Sequence, residues 1–140
     1  MATSGLLDTN VFLRHILQDQ AEHSRLATEL FARIELGEIT VRTLDTVVFE
    51  AVYVMEQKFS MPRNVIAGSL APLLGFPGIE LSNKEIYPAV FELWVTTRRL
   101  SFADAFHLVS AKHLGLDTII SFDRGLRGVE GVTRVEPPLG

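Results

Sequence analysis

The sequence contains no cysteine. Disulfides and thiolate-ligated metals are thereby excluded, and a reducing cytoplasm is the expected location. No apolar run approaches the roughly 20 residues that span a bilayer, so no membrane partner is expected. No basic segment precedes a long apolar core near the start, so no secretory leader is expected. Repeats, low-complexity tracts and linkers are missing as well, which leaves residues 1–140 as one expected domain. Excess positive charge is also lacking: 13 Lys and Arg stand against 17 Asp and Glu, a net charge of −4. Proteins that hold nucleic acid by general electrostatics are usually basic, with cations gathered on one face. Here the basic residues are scattered, and Arg98-Arg99 and Arg124/Arg127 are the only local groupings. A nucleic-acid substrate would therefore need something besides side chains to neutralise phosphate, and a bound divalent metal would do so.

What the chain does have is apolar residues, 47% of the total, enough to bury a real core in a single domain of this length. Leu6-Leu7 reads as the end of a buried strand that delivers Asp8 to its carboxyl end. Apolar spacing predicts a short helix over 10–17 and a longer one over 19–36, closed by Gly37. A β-branched strand is expected over 38–41. A helix capped by Thr43 or Asp45 should then run to about Phe59. A further helix restarts at Pro62 and ends near Leu74, before the turn Gly75-Phe76-Pro77-Gly78. Residues 79–81 read as a strand, and a helix capped by Ser82 or Asn83 should reach Arg99. Ser101 and Asp104 have capping-box form ahead of an apolar helix that Gly115 ends. Residues 118–120 and 132–135 complete the strands, with a glycine-rich loop or broken helix between them. Strands alternating with helices argue for a parallel sheet covered on both faces.

Four carboxylates stand out, and each has a plain structural reading as well. Asp8 would satisfy the first amides of a helix. Glu50 shares a narrow polar stripe with Thr46, Tyr53 and Gln57 in an otherwise apolar helix, so it must face a groove or a small solvent window. Asp104 would be the third residue of a capping box, yet Phe102, Ala103, Ala105, Phe106 and Leu108 surround it. An ionised group there is costly unless paired or metal-bound. Asp123 would form an Asx turn before Arg124-Gly125. His107 and His113 are more often core or cap residues than ligands, and no His pair has zinc spacing. A phosphate-binding glycine fingerprint and a serine nucleophile elbow are both absent.

Taken together, two of the carboxylates end parallel strands and one opens a helix, positions that right-handed crossovers bring to one sheet edge. Such a like-charge cluster persists only with a compensating cation or raised pKa values. Oxygen ligands alone select hard ions, Mg²⁺ or Mn²⁺, and these activate water and stabilise phosphoryl transition states.

Leu7-Asp8-Thr9-Asn10, Val48-Phe49-Glu50-Ala51, Phe102-Ala103-Asp104-Ala105-Phe106-His107 and Ser121-Phe122-Asp123 resemble, in order, the acidic signature of PIN-domain ribonucleases. The closest likeness is to the VapC-type toxins of prokaryotic toxin–antitoxin pairs, over essentially the whole chain. The resemblance implies a three-layer α/β/α sandwich on a central parallel sheet of four to five strands. It implies Mg²⁺- or Mn²⁺-dependent hydrolysis of RNA by an active-site quartet of Asp8, Glu50, Asp104 and Asp123. Asp8 and Asp104 would be the first metal ligands, with Asp123 joining directly or through water. Glu50 would hold a second ion or orient the attacking water. Asn10 and Ser121 match small polar positions that support the ligands. Arg124, and less directly Arg14 and Arg127, would meet flanking phosphates. A cognate antitoxin and a homodimer are further implied.

A non-catalytic PIN-like binding module is the alternative, although a scaffold has no need of four costly carboxylates. A haloacid-dehalogenase-type phosphatase also begins with a strand-terminal aspartate but wants a second one two residues on, where Asn10 stands. A phospho-receiver domain would place a lysine after a late strand, whereas Lys112 lies within a helix.

Overall fold

In the computed structural model, residues 2–140 are described, and the chain divides into two units, one ending at Glu85 and one spanning Ile86–Gly140.

The first unit is built on three parallel extended segments. Residues 4–7 run beside β1 (Val41–Arg42), with Leu6 bridging Arg42 in parallel. Ser4 N–H donates to Thr40 O at 2.8 Å, Arg42 N–H to Gly5 O at 2.9 Å, and Leu7 N–H to Arg42 O at 2.7 Å. On its other side β1 pairs in parallel with β2 (Ile79–Glu80), Val41 opposite Ile79. The strand expected over 38–41 begins only at Val41. Gly37 at φ +74° turns the chain out of α2 (Ala21–Glu35), and Glu38 N–H bonds back to Arg33 O, so the first expected strand residues belong to a helix end.

Packed with this sheet are α1 (Thr9–Leu17), α2, α3 (Asp45–Tyr53) and α4 (Arg63–Leu74), with α1 lying against α2 and α3. Much of the apolar spacing read in the sequence is the buried face: Phe12, Phe31, Ile34, Ala51, Met55 and Ile66 are almost wholly buried, whereas Leu26 of the same pattern is exposed. The Phe12 and Phe31 rings lie 5.3 Å apart. Neither expected cap of α3 acts as one. Leu44 occupies the N-cap without a side-chain bond, and the buried Thr43 hydroxyl instead donates to Leu7 O at 3.1 Å. A buried hydroxyl so close to the end of residues 4–7 does more by satisfying a strand carbonyl than an exposed helix start. Beyond Tyr53 the helix widens into a π-helical turn, Val54–Lys58.

The single helix expected from Ser82 to Arg99 is divided. A 3-10 turn, Lys84–Ile86, precedes α5 (Tyr87–Thr96), because Pro88 carries no amide and fits only the first turn of an α-helix.

In the second unit α5 packs on α6 (Phe102–His113), and β3 (Thr118–Ile120) pairs in parallel with β4 (Thr133–Val135). Trp94 meets Phe102 edge-on at 5.3 Å, and Phe91 lies 5.1 Å from Phe102, so the first residue of α6 is anchored among aromatics. Leu100, Leu108, Leu126 and Val132 form a second buried cluster. The expected glycine-rich loop contains a 3-10 turn, Arg124–Leu126. Among the described residues no helix is long and apolar enough to cross a membrane.

Candidate active site

Asp8 is where strand gives way to helix. It is the N-cap residue of α1 by backbone conformation, φ −90° and ψ 164°, yet its side chain accepts no capping hydrogen bond. The plain reading of Asp8 as a helix-capping carboxylate is therefore not what its side chain does. It is exposed, and no described residue pairs with it. Thr43 holds the carbonyl of Leu7, the residue before it, so the backbone that presents Asp8 is fixed from the neighbouring strand.

Glu50 lies in the second turn of α3, the helix that follows β1. Thr46, Glu50, Tyr53 and Gln57 are all exposed, while Val47, Val48, Ala51 and Val52 are buried, so the narrow polar stripe is real. Residues 4–7 and β1 are parallel neighbours, and α1 packs on α3. Asp8 and Glu50 thus belong to the two helices that leave the same carboxyl edge, the edge at which open parallel sheets bind ligands.

Asp104 and Asp123 occupy one end of the second unit. Asp104 completes a capping box: its backbone N–H donates to Ser101 Oγ at 3.0 Å, and its Oδ2 accepts from Ser101 N–H at 3.1 Å. Its Oδ1 takes no donor among the described residues. Asp123 follows β3 in an Asx turn, its Oδ1 accepting from Gly125 N–H at 2.8 Å, which leaves Oδ2 free. Ser121 Oγ accepts from Asp123 N–H at 3.0 Å, so Ser121 shapes this turn through a hydrogen bond. Both structural readings of these aspartates hold, and neither uses the whole carboxylate.

Arg99 joins the two positions. Its Nε donates to Gly125 O at 2.9 Å and its Nη2 to Arg127 O at 2.6 Å, so the residue two before the N-cap of α6 grips the loop after Asp123. Leu126, in that same loop, is buried with Leu100 and Leu108. The sequence marks Arg98-Arg99 only as a cation pair; a planar fork matched to two carbonyls has no signature in a linear pattern. Arg134 also holds the chain near Asp123, its Nη1 donating to Ser121 O at 2.9 Å and to the Glu136 carboxylate at 2.8 Å.

The arginines considered for phosphate contact separate clearly. Arg14 Nε lies 3.3 Å from Asp19 Oδ1, and Arg14 lines a groove of about 520 Å³ between α1 and α2 with Asn10, Val11, His23, Leu26 and Leu30. Arg124 and Arg127 are exposed, and no described residue engages either side chain.

None of the four carboxylates forms an ion pair among the described residues, although Asp19, Glu22, Glu29, Glu38, Glu56 and Glu80 all do. Oxygen-only donors left without a cation suit a hard divalent ion in their chemistry. In geometry, no three His, Asp or Glu among the described residues are grouped as a metal site. Within the first unit Asp8 and Glu50 belong to one sheet edge, and within the second Asp104 and Asp123 belong to one end.

Residues 5–132 match the family model described as PIN domain, a span that contains all four carboxylates. Comparison with curated proteins gives no match.

Proposed function

The chain belongs to the PIN domain family, an α/β family whose members are generally metal-dependent nucleases, and from that membership we propose that this protein is a Mg²⁺- or Mn²⁺-dependent endoribonuclease. Residues 1–140 form one PIN-like domain, a three-layer α/β/α sandwich on a parallel sheet of four to five strands. Asp8 and Asp104 would hold the ion, Asp123 would support it directly or through water, and Glu50 would hold a second ion or orient water. Bound there, a divalent ion would lower the pKa of water and offset charge on the phosphoryl group. The chain's own contribution is to keep four carboxylates fixed in backbone position and without an ion pair among the described residues. Asn10 and Ser121 support the ligands, and Arg124, with no partner among the described residues, takes a flanking phosphate.

The observation that carries this reading is the free state of those carboxylates. Asp104 and Asp123 each satisfy a local turn with one oxygen and keep the other, while Asp8 stands at a helix start without capping it.

We further infer that the protein is the toxin of a toxin–antitoxin pair, acting in the cytoplasm as a homodimer. The groove between α1 and α2, apolar on one side and beginning two residues after Asp8, suits a segment of a cognate antitoxin. Exposed Tyr53, Phe59 and Val65 supply apolar surface for a second copy. The alternative is a non-catalytic PIN-like module that binds RNA or protein. Incubation of the protein with single-stranded and hairpin RNA in Mn²⁺, with and without chelator, separates the two. Chelator-sensitive cleavage lost in Asp8→Asn and Asp104→Asn is expected. No cleavage would leave the binding module, and cleavage that survives the chelator would refute the metal-dependent reading.

A further inference from the structure

Phe122 lies between Ser121 and Asp123 and is 70% exposed. Single exposed apolar side chains are ordinary, so exposure alone decides nothing. What sets this ring apart is how firmly its backbone is held. On one side Ser121 N–H donates to Val135 O at 2.9 Å, and Ser121 O accepts from Arg134 at 2.9 Å. Across the residue, Asp123 N–H donates to Ser121 Oγ, and on the far side Gly125 N–H donates to Asp123 Oδ1. Arg99 grips the same loop at Gly125 and Arg127. A turn fixed at this many points presents its one large apolar side chain with little backbone entropy left to lose on binding.

Among the described residues, the same turn carries Asp123 with a free oxygen and Arg124 without a partner. A chain of net charge −4 cannot draw RNA by general electrostatics. Stacking of a base on an aromatic face is independent of charge and open only to unpaired bases. We propose that Phe122 is a substrate-positioning residue on which an unpaired nucleobase stacks, while Arg124 meets an adjoining phosphate. The inference rests on the ribonuclease reading for its ligand class. It makes single-stranded RNA, rather than duplex, the form that this protein binds.

The test uses the full chain carrying Asp8→Asn, so that RNA survives in Mg²⁺, and a labelled single-stranded oligoribonucleotide read by fluorescence anisotropy. Phe122→Ala and Phe122→Leu should weaken binding about 5- to 150-fold, whereas Phe122→Trp retains it, because Leu is apolar but offers no π-face. The salt dependence should stay the same in all three, and should fall by about one ion in Arg124→Gln. Binding that is equal in Phe122→Leu and the parent, or absent in the parent, overturns the proposal. So does a change of oligomeric state in Phe122→Ala on size-exclusion chromatography, which would make the ring a protein contact. Cleavage by the unsubstituted chain is scored separately. If it cleaves and Phe122→Ala binds normally, only the stacking role fails. If it binds through Phe122 but never cleaves, only the nuclease reading fails.

Discussion

Replacing Arg99 tests whether the second pair of carboxylates is held by a structural clamp or served by a free cation. Arg99→Met keeps most of the stem and removes both donors, those to Gly125 O at 2.9 Å and Arg127 O at 2.6 Å. Hydrogen bonds to charged groups contribute about 1.5–3 kcal/mol each when sheltered. Arg99 is exposed, so water competes, and about 1–2 kcal/mol for the two together is the better figure. For a chain of this size that is a fall in Tm of about 3–6 °C. Function should suffer more than stability. Displacing a reacting group by about 1 Å can slow a reaction about 100-fold, and the loop after Asp123 is what Arg99 holds. Arg99→Lys should behave nearly like Arg99→Met, since a point charge cannot engage two carbonyls as a fork does. Thermal melts and RNA cleavage would be measured for both variants, with binding followed against salt. An unchanged Tm with a salt dependence reduced by about one ion would refute the clamp and make Arg99 a phosphate contact.

Asp104→Ala should cost about 0.5–2 kcal/mol in urea melts by breaking the capping box, whereas Asp104→Asn should keep most of that stability and still lose cleavage. Gly78→Ala should destabilise by about 1–3 kcal/mol, because a Cβ there would overlap the Ile39 carbonyl oxygen and come within 2.7 Å of Ile34 O; an unchanged melt would contradict the close approach. Burial lowers the His15 pKa below its ordinary 6.5, with Phe31 4.8 Å from the ring and Thr28 bonded to Nδ1. The unfolded chain then binds its proton first, so the stability this group contributes is whole above pH 6.5 and is lost as the pH falls to and through the folded value. Melts across that range should fall more steeply for the parent than for His15→Gln, and parallel curves would show that His15 is not the cause.

Much of the local structure around the candidate residues is legible because it is set by neighbours in sequence. Ser101 and Asp104 have the spacing of a capping box and form one; Asp123 before Arg124-Gly125 reads as an Asx turn and is one. The polar stripe of Glu50 follows from helical period alone, and its exposure matches. Less legible was anything decided across the chain. Thr43 looked like a helix cap but bonds to Leu7, a strand carbonyl 36 residues away, and Arg99 reaches 26 and 28 residues to its partners. Strand limits were misjudged for a related reason. Val41 is the first residue of β1 because α2 closes through Gly37 and Glu38, and a β-branched run cannot reveal which of its members a preceding helix end will take.

The central claim is that the four carboxylates act as one metal-holding set. Calorimetric titration with Mn²⁺ of the parent chain, Asp8→Asn, Asp104→Asn and the double variant tests it most directly, with circular dichroism confirming that each is folded. One set predicts that the parent binds Mn²⁺, that each single substitution removes most of the affinity, and that the double variant is little worse than either, since groups that act as a unit are not additive. If each single variant instead kept one undisturbed Mn²⁺ site and only the double variant lost both, Asp8 and Asp104 would serve separate sites and the account would be wrong.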